Sequence, residues 1–393
     1  MKQIKFLLVI SLLFLLIGAG KGYTELSVEL PRPTGNYKIG TVSLPFIDKE
    51  RPGIYSNGQR SQYREFMIQI WYPAKIGTNG ETSVYYDPIT AQFISNFFPA
   101  FRYEYGSILK THAIVGAKIT GGHERFPVLL FSPGQGSVYG SYQSILEDLA
   151  SHGYIVIGVN HPNISAVTVF PDGHYYPYTP SKFDIQPPTT PEELEEYYYH
   201  ESELLEEAVL DLQCIIKQLS CLDRNPKLPF TGRMKFWRLG CFGHSFGGAA
   251  SVQTCIKSRA VSAAINMDGA LWGDGYKHRI FKPMMLMTPN YSSAQQPVSY
   301  EILWNNLLND SFFIKVQNTG HQNFSDAPLL KLINPDLDLG SIPGLGEIDP
   351  NRGLRIIRDS VRRFFDSNLK DASPKRIEWL AKLYPEITVT TKD

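Results

Sequence analysis

Lys235-Phe-Trp-Arg-Leu-Gly-Cys-Phe-Gly-His-Ser-Phe-Gly-Gly-Ala-Ala250 reads as a strand, a sharp turn and the start of a helix. Phe236, Trp237, Leu239, Cys241 and Phe242 suit a buried strand. Gly243-His244-Ser245-Phe246-Gly247 fits G-x-S-x-G, the nucleophile elbow. Ala249, Ala250, Val252 and Ile256 then follow helical spacing. The turn puts Ser245 in a strained backbone, and side chains two residues to either side would collide with strand and helix. Its hydroxyl is held at the mouth of the sheet, near a helix N-terminus whose partial positive charge favours an anion. The plainer alternative is a Ser that caps an ordinary strand-to-helix turn. The flanking strand and helix are the context that selects the nucleophile.

Outward from the elbow, Phe126-Pro-Val-Leu-Leu-Phe-Ser132 is a continuous apolar run, as a buried parallel strand requires. Pro133-Gly-Gln-Gly-Ser-Val-Tyr-Gly140 is a loop, Tyr142 to Ser151 a helix and Tyr154 to Asn160 the next strand, which makes a βαβ unit. Upstream, residues 33–44 give a turn and a first strand, and Arg64 to Pro73 alternates as a second. Residues 76–125 cover an opening to the site. Thr190-Pro-Glu-Glu193 starts a long helix, with Thr as cap and Pro at the first position. Leu204, Ala208, Leu212, Ile215 and Leu219 share one of its faces. Its acidic run, Glu192 to Glu207, reads as a solvated face and not as a metal site. Val261–Met267, Met284–Met287 and Phe312–Val316 are further strands, and Leu354 to Phe365 is a last amphipathic helix. The fold class is α/β: an α/β-hydrolase fold with a mostly parallel central sheet and helices on both faces. Residues 21–370 form one catalytic domain, and 371–393 a C-terminal tail.

A serine nucleophile needs a base, and the base needs an orienting carboxylate. In an α/β-hydrolase these follow in the order Ser, Asp, His, each at the end of a later strand. Strand 261–267 ends in Asp268-Gly269, and strand 312–316 leads into Asn318-Thr-Gly-His321. Asp268 has a nearby competitor in Asp274, and Asp-Gly is also a common turn dipeptide. Of nine histidines, only His321 has both order and context. His244 reads as a packing residue, and His161 is placed to line the cleft. The oxyanion hole calls for two backbone N–H groups, that of Phe246 and one from Pro133-Gly134-Gln135-Gly136, assigned to Gln135.

The chain has 393 residues, 43% hydrophobic and 19% charged, with a formal net charge of zero. This is globular composition, and it argues against a nucleic-acid partner. Cys214, Cys221, Cys241 and Cys255 form no C-x-x-C pair, so a structural zinc is not expected. Cys241, in the presumed central strand, and Cys255, in the following helix, read as buried thiols, and a Cys214–Cys221 bridge is possible in an exported chain. Met1-Lys-Gln-Ile-Lys5, the apolar run Phe6 to Ile17 and Gly18-Ala19-Gly20 make a secretory signal pattern. An uncleaved N-terminal membrane anchor is the alternative. No cofactor or metal is expected, because an oxyanion hole supplies the charge stabilisation a Lewis acid would otherwise give.

Gly-His-Ser-Phe-Gly-Gly248, His321-Gln-Asn-Phe-Ser-Asp326 and Pro33-Thr-Gly-Asn-Tyr-Lys-Ile-Gly-Thr41 resemble the secreted, lipoprotein-associated type of platelet-activating factor acetylhydrolase, over roughly residues 33–368. The resemblance implies calcium-independent hydrolysis of short or oxidised sn-2 acyl chains from phospholipids. It puts nucleophile, acid and base on Ser245, Asp268 and His321, and the oxyanion donors on Gln135 and Phe246. It also implies peripheral contact with a lipid surface, for which Phe93 to Tyr105 is the candidate; a cover packed on the core is the alternative there. One departure is Pro133-Gly134, where the family's human-type members have His-Gly. Ser-Pro-Gly at this point also occurs in secreted cutinase-like polyester hydrolases. A carboxylesterase or polyester hydrolase, and a non-catalytic binding module on the same fold, therefore stand as alternatives.

Overall fold

The computed structural model describes residues 27–55, 60–184, 186–290 and 297–392. Among these, twelve strands form one sheet. In chain order they are β1 (Val28–Glu29), β2 (Lys38–Asp48), β3 (Arg64–Ala74), β4 (Thr82–Val84), β5 (Leu109–Val115), β6 (Phe126–Ser132), β7 (Ile155–Asn160), β8 (Met234–His244), β9 (Val261–Met267), β10 (Met284–Pro289), β11 (Ser311–Val316) and β12 (Ile387–Lys392). The longer helices are α1 (Pro88–Phe97), α2 (Gln143–Ser151), α3 (Pro191–Arg224), α4 (Phe246–Lys257), α5 (Val298–Asn306) and α6 (Pro350–Leu369). Across the sheet the order is β1-β5-β2-β3-β7-β6-β8-β9-β10-β11-β12, and β4 also pairs with β5.

The six strands from β7 to β11 in that order are mutually parallel. Every residue of β6 and β7 is buried, which is why their sequences are unbroken apolar runs. The period of two still sorts their side chains. Leu129 and Phe131 join α2 and α6 in one core, and Val128 and Leu130 join α3 and α4 in the other. β2 and β3 run antiparallel on the flank. Pro45 sits where β2 pairs with β3 alone, an edge position that tolerates a missing N–H.

The chain leaves β6 through α2 to β7, then returns through α3 to β8 on the other side of β6. From β8 it proceeds outward to β9, β10 and β11. The winding therefore reverses between β6 and β8. A crevice outside the carboxyl ends of such strands is where open α/β sheets bind ligands. Ser132 and His244 end those two strands.

α3 begins as its sequence predicts, with a Thr190–Glu193 capping box and Pro191 in the first turn. Cys214 and Cys221 both lie on it, two turns and roughly 10 Å apart, too far for a disulfide; both are free thiols, as are Cys241 and Cys255. Residues 371–393, set apart above as a tail, contribute β12, which pairs antiparallel along the whole of β11 and covers its edge. The signal pattern of residues 1–20 lies outside the described residues. Among those described, no helix is long and apolar enough to cross a membrane.

Candidate active site

Ser245 stands between β8 and α4 with φ 54° and ψ −127°, a region that residues bearing a Cβ rarely enter. Close packing beneath it explains the flanking glycines. A Cβ on Gly243 would lie 2.3 Å from the Gly247 carbonyl, and one on Gly247 would lie 2.0 Å from the Ser132 carbonyl oxygen. Ser245 itself donates its N–H to the Met267 carbonyl at 2.8 Å, and its side chain is half-buried. Phe246 is the first residue of α4, so its N–H has no intrahelical partner.

The loop after β6 passes beside the serine: a Cβ on Gly134 would stand 3.3 Å from Ser245 Cβ. The N–H groups of Gln135 and Phe246 have no acceptor among the described residues. The Gln135 side chain is held away from the serine. Its Nε2 donates to Tyr178 Oη at 3.1 Å, near the Glu201 carboxyl.

Asp268 follows β9 with φ 56° and donates its N–H to the Met287 carbonyl at 2.8 Å. Asn266 clamps the turn, accepting the Gly269 N–H at 2.8 Å and donating to the Gly269 carbonyl at 2.7 Å. The buried Asp268 Oδ2 lies 2.7 Å from His321 Nδ1. A carboxylate only accepts, so Nδ1 carries the proton and Nε2 is left as the basic atom. The His321 side chain is one third exposed. Asn323 pins its loop by accepting the N–H groups of Gly320 and Gly346 at 2.8 and 2.7 Å, and Phe324 anchors it in the core. That is the physical content of the His-Gln-Asn-Phe stretch. The competitor Asp274 is exposed and paired with Lys277 at 2.7 Å.

Two other sequence readings are corrected. His161 does not line the cleft; it is fully buried. Its Nδ1 bonds Asp211 Oδ2 at 3.0 Å and its Nε2 bonds Ser132 Oγ at 3.0 Å. Ser132, His161 and Asp211 thus repeat the hydrogen-bond order of a Ser-His-Asp triad, but sealed from solvent. Asp211 also accepts from Nη2 and Nε, one edge of the buried Arg64 guanidinium, at 2.9 and 3.2 Å, and Coulomb attraction and these bonds outweigh burial to hold its carboxyl far below the usual range. A group so paired cannot reach substrate; the array braces the turn after β6. One sequence signal pointed to it: Asp211 falls on the apolar stripe of α3 with Leu204, Ala208 and Ile215. The second correction concerns Glu201. It lies in the acidic run read as solvated, yet it is buried, and burial pushes its carboxyl up to about 7.

A cavity of about 240 Å³ is lined by Gln135 and Gln322, with Tyr85, Tyr86, Phe98 and Phe101 among its walls. At ~30 Å³ per water-sized group it holds about eight such groups. Of the segment Phe93 to Tyr105, Ile94, Phe97, Phe98 and Phe101 line this cavity, with Phe101 and Tyr105 buried in the core and Phe97 half exposed.

A family model described as platelet-activating factor acetylhydrolase, isoform II, matches residues 24–196 and 226–379. A probable 1-alkyl-2-acetylglycerophosphocholine esterase from Arthroderma benhamiae is 24% identical, over 92% of this chain and 93% of its own. The platelet-activating factor acetylhydrolase of Bos taurus is 26% identical, over 87% of this chain and 77% of its own. Among solved structures, a ferulic acid esterase from Streptomyces cinnamoneus superposes with a TM-score of 0.74 at 24% identity, over 93% of this chain and 99% of that one. That likeness is one of fold.

Proposed function

Because the chain belongs to the platelet-activating factor acetylhydrolase, isoform II, family, we propose that it is a serine esterase that removes short or oxidised sn-2 acyl chains from phospholipids through an acyl-enzyme. Ser245 is the nucleophile. His321 Nε2 takes its proton, and Asp268 holds the imidazole in the tautomer that leaves Nε2 free. The alkoxide attacks the ester carbonyl, and the oxyanion accepts the N–H groups of Gln135 and Phe246. His321 then protonates the leaving alcohol, and water, deprotonated by the same nitrogen, releases the acid. The observation that carries this reading is the 2.7 Å bond between Asp268 and His321, which follow two strands beyond the elbow, one on either side of β10.

The small 240 Å³ cavity lined by Gln135 and Gln322, which flank Pro133-Gly134 and His321 in sequence, supports a short acyl group over a long one. The Ser132-Pro133-Gly134 turn favours a second reading, a general carboxylesterase or polyester hydrolase. Phosphatidylcholines differing only in sn-2 chain length, assayed in EDTA with Ser245→Ala as the blank, separate the two. Acetyl and oxidised chains cut well and long chains poorly is the expected result. Cleavage of soluble esters with no phospholipid turnover would move the substrate to the second reading. We further propose export through residues 1–20; N-terminal sequencing of the mature protein should find a start just after Gly18-Ala19-Gly20, and retention of Met1 would contradict it.

A further inference from the structure

His244, Tyr142 and the loop after β6 form a chain of hydrogen bonds that the mechanism above does not use. Gly134 N–H lies 3.2 Å from Tyr142 Oη. Tyr142 Oη lies 2.8 Å from His244 Nδ1. His244 Nε2 lies 2.9 Å from the carbonyl oxygen of His321. Three of the four residues belong to the proposed machinery or adjoin it: Gly134 precedes Gln135, His244 precedes Ser245, and His321 is the proposed base; Tyr142, just before α2, joins them.

The two ends fix every proton in between. A backbone carbonyl only accepts, so His244 Nε2 carries its hydrogen. A backbone N–H only donates, so Tyr142 Oη accepts from Gly134. With Nδ1 unprotonated, Tyr142 gives its own hydrogen to that nitrogen. The chain runs in one direction, from Gly134 N–H through Tyr142 O–H and His244 Nε2–H to the His321 carbonyl. The alternative, a charged His244 with both nitrogens donating, is opposed by the surroundings. His244 and Tyr142 are buried, the His321 ring lies 4.4 Å from the His244 ring, and burial together with that neighbour holds His244 well below its ordinary pKa. Burial likewise raises Tyr142 to about 12.

We propose that Tyr142 and His244 are positioning residues that lock the oxyanion loop and the base loop to each other in one register. Neither touches the reacting atoms. A shift of the Gly134–Gln135 peptide pulls on the His321 backbone through two side chains, so the donor aimed at the oxyanion and the base aimed at the alcohol keep their separation. Misplacement by about 1 Å at such a site costs up to about 100-fold in rate. The inference rests on the esterase reading for its kinetic consequence, but not for its geometry.

The test uses Tyr142→Phe, His244→Phe, His244→Gln and the double variant Tyr142→Phe/His244→Gln, with Ser245→Ala in parallel. Phe at 142 keeps the packing volume and removes only the hydroxyl; Phe at 244 keeps an aromatic ring, somewhat larger than imidazole, and removes both of its bonds. Each single variant should lose between about 10- and 100-fold in kcat with KM and the melting temperature little changed. Gln at 244 can keep a donor for His321 but offers nothing at the Nδ1 position, so Tyr142→Phe should add little to His244→Gln. Wild-type kcat in Tyr142→Phe and His244→Phe, or losses that multiply in the double variant, would overturn the inference. Full activity in Ser245→Ala would instead overturn the esterase reading. Should a variant fail to fold, ¹⁵N NMR of histidine-labelled wild-type protein decides. The chain requires a neutral Nε2–H tautomer for His244 at pH 7. A charged ring or an Nδ1–H tautomer at pH 7 would refute it.

Discussion

Replacing Asp326 by Asn should flatten part of the protein's pH-dependence of stability, and the size of the change follows from burial. Asp326 closes the loop that begins at His321. Its N–H donates to the Ser141 carbonyl at 2.8 Å, and its Oδ2 accepts the Ser144 N–H at 3.2 Å and the Tyr85 hydroxyl at 3.3 Å. Ser144 is the second residue of α2, so the carboxyl caps that helix from another segment. Oδ1 has no hydrogen-bond partner among the described residues, and burial raises the group from 3.8 to about 7. Below about pH 4 both folded and unfolded chains hold the proton, and the group contributes nothing. Between about pH 4 and pH 7 the unfolded chain has lost the proton and the folded chain keeps it, so stability falls by ~1.4 kcal/mol per pH unit. Above about pH 7 the penalty levels off, at roughly 4 kcal/mol for a shift of about three units. Asn keeps an acceptor for Ser144 and carries no titrating proton. Urea unfolding of both proteins from pH 4.5 to pH 8 gives the difference directly, because every other titration cancels in it. The variant should gain on the wild type by roughly 1.4 kcal/mol per unit up to about pH 7 and then run parallel to it. Curves parallel throughout would show that Asp326 ionises normally, and the argument from burial would fail.

Asp268→Asn should leave the fold intact and lower kcat by about 10⁴, because the amide can leave His321 in the wrong tautomer; steady-state kinetics with a soluble ester and a melting curve check both halves. Arg64→Met should destabilise by about 3 kcal/mol, the low end for breaking a buried ion pair, because Arg51 still reaches Asp211 at 2.5 Å; urea unfolding at pH 7 measures it.

The parts of the site legible in the sequence are those whose chemistry is local. The elbow is a strand, a crowded turn and a helix within sixteen consecutive residues, and its glycines report contacts with Ser132 that the turn itself imposes. Asp268 and His321 were legible from order alone, since each follows an apolar run that can only be a buried strand. The Ser132–His161–Asp211–Arg64 array was not, because its members lie up to 147 residues apart and meet only when α3 packs against β6 and β3. Glu201 was misread for a related reason. An acidic run on a long helix looks solvated, and nothing in it says which residue turns toward Gln135. His244 passed as packing because a histidine inside an elbow is apolar enough to pack, and its two partners come from 102 residues before and 77 after.

Intact-mass analysis after treatment with a fluorophosphonate tests the central claim most directly. The account predicts one adduct per chain, mapped by peptide sequencing to Ser245, lost in Ser245→Ala and strongly slowed in His321→Ala. A folded, active protein that takes no adduct, or takes it at another residue, would contradict the assignment of Ser245 as the nucleophile.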